Sequence, residues 1–99
     1  MATDPIGPLT TLADEALRRA RGLLEQLAAA LKRHQIPQDQ QPNYGWLERA
    51  IWTLAGRVDI YRSGGLAGSL AEQATSINAA LEDVEAAAAS VQHVLSQLP

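Results

Sequence analysis

The chain has no cysteine and no phenylalanine. Its aromatics are only Tyr44, Trp46, Trp52 and Tyr61. Without cysteine there are no disulfides and no thiolate chemistry, whatever the compartment. β-branched and aromatic residues are sparse, which argues against strands. No apolar run approaches the roughly 20 residues that span a bilayer, so a soluble protein without a membrane span is expected. The start of the chain lacks a basic region followed by an apolar one, the mark of a secretory signal. No basic residue occurs after Arg62. From Ser63 onward the only charges are Glu72, Glu82, Asp83 and Glu85, while the first 62 residues carry eight basic and seven acidic side chains. The formal charge is −3 and the isoelectric point about 5.2.

Alanine and leucine dominate what remains, and both form helices readily. At 99 residues the chain suits one domain with one core. Residues 1–8 read as an irregular lead, because Pro5, Gly7 and Pro8 interrupt regular structure, with Asp4-Pro5 starting a turn. A single helical domain is expected over 9–99, built as an antiparallel three-helix bundle unit. Its long first helix spans about 9–35, its shorter middle helix about 44–62 and its long third helix about 66–98.

The first helix carries Thr10 or Thr11 as cap, with Asp14 and Glu15 in its first turn. Pro37 ends it. The second has Asn43 as its cap and a main stripe of Leu47, Ile51, Leu54, Val58 and Tyr61. Ser63-Gly64-Gly65 stops it. In the third, Leu70, Ala74, Ile77, Leu81, Val84, Ala88, Val91, Leu95 and Leu98 alternate steps of four and three, the seam of a coiled coil. Ser69 and Glu72 fit a capping box.

On these lengths the third helix overshoots the others by roughly 15–20 Å, leaving its last apolar residues uncovered. Leu9, Leu12 and Leu17 lose cover at the other end. Trp46, Trp52 and Ile60 lie off the main stripe of the second helix. The expected function is therefore a non-enzymatic interaction or assembly module, completed by self-association or by a helical partner chain. Its expected contacts are Trp46, Trp52, Ile60, Val91, Val94, Leu95 and Leu98, with the tryptophans as anchors.

Other chemistry finds little support. His34 and His93, the only histidines, have no His, Asp or Glu three or four residues away, so no metal set is expected. Glu82, Asp83 and Glu85 crowd together but lie off the seam and lack the Glu-x-x-His pattern of di-metal bundles. They read as a solvated face or a complement to arginines of the first helix. No nucleophile elbow occurs. Gly64-Gly65-x-x-Gly68 lacks the Lys and the preceding strand of a phosphate loop. No enzyme activity and no cofactor are expected. Arg18, Arg19, Arg21, Lys32 and Arg33 are the basic cluster a DNA-binding regulator would use, but Asp14, Glu15 and Glu25 interleave with it.

In length, helicity, acidity and lack of cysteine the chain is similar to small secreted proteins of the WXG100 kind. Their Trp-x-Gly mark is not matched: Tyr44-Gly45-Trp46 has the reverse order, and Trp52-Thr53-Leu54 has no glycine. The tail from Val91 has no Tyr-x-x-x-Asp/Glu signal. A secreted effector of that type is kept as an alternative, with the cytoplasm as the default location.

Overall fold

Three helices account for the fold: α1 (Ile6–Arg33), α2 (Pro42–Arg62) and α3 (Leu70–Gln97). The computed structural model describes residues 6–98, so the Asp4-Pro5 turn lies outside the described residues. A single 3-10 turn, Gln38–Gln40, sits between α1 and α2. The assembly is 54 Å long and 20 by 16 Å across. It is all-helical, and the three helices pack against one another as a bundle unit.

The helix ends differ from expectation in ways that change the packing. The first helix starts at Ile6, inside the expected irregular lead. Pro8 is tolerated there because a first-turn residue has no helical N–H bond to lose. Ile6 is fully buried and anchors that turn. Thr10 and Thr11 are not caps. Their hydroxyls donate back to the Gly7 carbonyl at 2.8 and 3.3 Å. Asp14 and Glu15 consequently lie beyond the first turn, which holds no acid.

At its other end α1 closes in a Schellman turn. Ile36 N–H donates to Leu31 O at 2.9 Å and Gln35 N–H to Lys32 O at 3.2 Å. Gln35 takes the left-handed position, at φ 57°. α2 begins earlier than expected, with Pro42 in its first turn. Gln41, rather than Asn43, is its cap, its side chain accepting from Asn43 N–H at 3.2 Å. The same Schellman pattern ends α2, with Gly64 at φ 78°.

α3 starts at Leu70, not at 66. Gly68 has φ 103°, and a Cβ there would lie 2.9 Å from a Glu72 carboxylate oxygen. The chain therefore stays non-helical until Ser69, whose hydroxyl accepts from Glu72 N–H at 3.2 Å as the capping box requires.

α1 and α3 are thus both 28 residues long, about 42 Å at the usual rise. They run parallel and nearly in step: Ala16, Leu23 and Gln26 share a groove with Val84, Ala88 and Gln92. α2 runs antiparallel to both. Trp46 bonds to Asp83, and Arg57, further along, bonds to Ser76. Against α1 the expected overshoot does not occur, because α3 begins later and α1 earlier than expected; α3 remains longer than the 21-residue α2. Of the three α1 leucines expected to lack cover, Leu17 is buried and Leu9 is half-buried against the core, while Leu12 is exposed. Leu27 and Leu31 of α1, Leu47, Leu54 and Val58 of α2, and Ile77, Val84 and Val91 of α3 form the centre of the core.

Candidate interaction surface

The seven residues expected to face a partner separate into three groups. Val91 is fully buried and is corrected to a core residue. Val94 and Leu95 are half-buried and pack against the core cluster. Leu98, also half-buried, follows the last turn and donates its N–H to Val94 O at 3.2 Å. The reason is the matched length of α1 and α3, which gives the end of α3 a neighbour along its whole length.

Trp46 also has a use inside the chain. It is half-buried against the core, and its Nε1 donates to Asp83 Oδ1 at 3.0 Å. That bond gives one of the clustered carboxylates of α3 a role. Asp83 ties α3 to α2, where a complement to arginines of the first helix was one expectation.

Trp52 and Ile60 remain on the surface. Trp52 is 83% exposed and Ile60 46% exposed. A tryptophan left so open in the middle of a helix is uncommon, since its large apolar ring gains most from burial. Between them, one turn from each, stands Gly56. A Cβ built there meets nothing within 4 Å. An interior helix glycine costs about 1 kcal/mol relative to alanine, and nothing within the chain packs against this one. Gly45, three turns earlier, is overlain by its own neighbour: a Cβ there would lie 3.2 Å from Arg49 Nη1.

At about 100° per residue, Gly45 and Gly56 fall opposite the buried stripe of Leu47, Leu54 and Val58. Glu48 and Asp59 lie along one edge of this outer strip, and Arg49 and Ile60 along the other. Glu48, Arg49, Trp52, Asp59 and Ile60 are all exposed. The glycines were the part of this surface that hydrophobic patterning missed. The available signal was two glycines at helical spacing inside a segment otherwise suited to helix.

Two further apolar side chains are open, Leu12 at 54% and Leu70 at 55%. They belong to α1 and α3 and do not extend the α2 strip. On α1, Gly22 borders a shallow groove against α3, lined also by Leu23, Ala88 and Ala89 with Arg19 and Glu85 among its charged residues.

Charged side chains also make contacts between the helices. Arg62 Nη2 donates to Asp14 Oδ2 at 2.6 Å, with a longer 3.4 Å bond from Nη1 to Oδ1. The hydrogen bond to Asp14 raises the Arg62 guanidinium above its ordinary range; desolvation opposes this, and the Asp14 and Asp59 charges add to it. This ion pair lies within the first 62 residues. Arg57 Nη1 donates to the Ser76 carbonyl at 2.7 Å, joining α2 to α3. Among the described residues no three His, Asp or Glu side chains come together as a possible metal set. Nor, among the described residues, is any helix long and apolar enough to cross a membrane. No family model matches the chain, and neither a curated protein nor a solved structure matches it.

Proposed function

We propose that this chain is a non-enzymatic helical interaction module that docks on another protein chain through the outer face of α2. The observation that carries the reading is the exposure of Trp52 in mid-helix beside the open Gly56. Tryptophan is among the side chains most enriched at binding hot spots, where a pocket on the partner removes it from water. The glycine supports the same reading, because it lets a partner approach the helix backbone closely. Val91 is buried in the chain's own core, and Trp46, Val94 and Leu95 pack against it, so this reading rests on the outer face of α2.

The DNA-binding alternative draws less support. Arg18, Arg19, Arg21, Lys32 and Arg33 are exposed on α1, but Glu15 and Glu25 are exposed among them, and a nucleic-acid surface presents a basic patch or stripe. The WXG100-like alternative assumes a helical hairpin, and the shorter α2 between two long helices departs from it.

A photoreactive side chain placed at Thr53 tests the docking reading in the cells that make the protein. A discrete cross-linked adduct is expected from Thr53, absent when Trp52→Ala is added and absent from the same probe at Glu25. No adduct from Thr53, or one indifferent to Trp52, overturns it.

A further inference from the structure

We draw no further inference here: the strongest candidate, the shallow groove between α1 and α3 floored by Gly22, Leu23, Val84 and Ala88 and flanked by Arg19 and Glu85, is an unpartnered surface, and nothing in the structure shows what covers it.

Discussion

The indole N–H of Trp46 donates to Asp83 Oδ1 at 3.0 Å, joining two residues 37 apart in sequence. It decides which of the two tryptophans of α2 is structural. Trp46 reaches across to α3 and packs against the core, whereas Trp52, six residues on, has no such neighbour and stands in solvent.

That bond is measurable by itself. Trp46→Phe keeps most of the ring and removes the donor. A loss of about 0.5–1 kcal/mol is expected, toward the low side for a bond to a charged acceptor because this one is open to water. Asp83→Ala should cost a similar amount, and the double variant little more than either alone. Urea denaturation of the four proteins gives the coupling; additive losses would show that the bond contributes nothing.

The left-handed position that ends α1 is held by Gln35, where glycine is the usual residue. A side chain in that conformation costs roughly 1 kcal/mol. Gln35→Gly should therefore stabilise the chain by several tenths to about 1 kcal/mol, less the entropy that glycine adds to the unfolded state. The urea midpoint reports it. Destabilisation would mean that the Gln35 side chain makes a contact worth more than its strain.

Val91 and Leu27 are fully buried. Leu27→Ala should cost about 2–5 kcal/mol through lost contacts and the cavity left behind. Val91→Asp places a carboxylate where no water reaches it, and should abolish the cooperative thermal transition at every protein concentration. If Val91→Asp instead left a folded monomer, the end of α3 would be a surface and not a core.

Gly56 and Gly22 make a matched pair of tests. A Cβ at either meets nothing within 4 Å, so alanine at either should stabilise the isolated chain by about 0.5–1 kcal/mol. Their effects on association should differ. Gly56→Ala narrows the space beside Trp52 and weakens docking, whereas Gly22→Ala, on α1, leaves it unchanged. Thermal melts read the first effect, and the yield of the Thr53 cross-link reads the second. Equal yield from the two variants would remove Gly56 from the docking surface.

Much of the fold was legible from local chemistry. Ser69 caps α3 by accepting from Glu72 N–H, the first half of the expected capping box, and Gly64 takes the left-handed turn that stops α2. The helix count and the buried stripe Leu47, Ile51, Leu54 and Val58 follow from periodicity. Helix starts were less legible. Pro8 looks like a breaker in sequence, yet in a first turn it has no bond to break, and burial of Ile6 brings the segment into α1. Gly68 and Ser69 together delay α3. Those few residues removed the overhang that had made Val91 and Leu95 look unpaired.

The sequence by itself determined three helices, their order and the stripes they bury, because periodicity, caps and turn glycines act within a few residues of one another. Which apolar residues stay outside was decided only by the tertiary structure. Exposure depends on what lies opposite, and that depends on the relative lengths and register of α1 and α3. Register buried Val91 and brought Asp83 within reach of Trp46, whereas Trp52 and Gly56 face away because they lie opposite the buried stripe of α2.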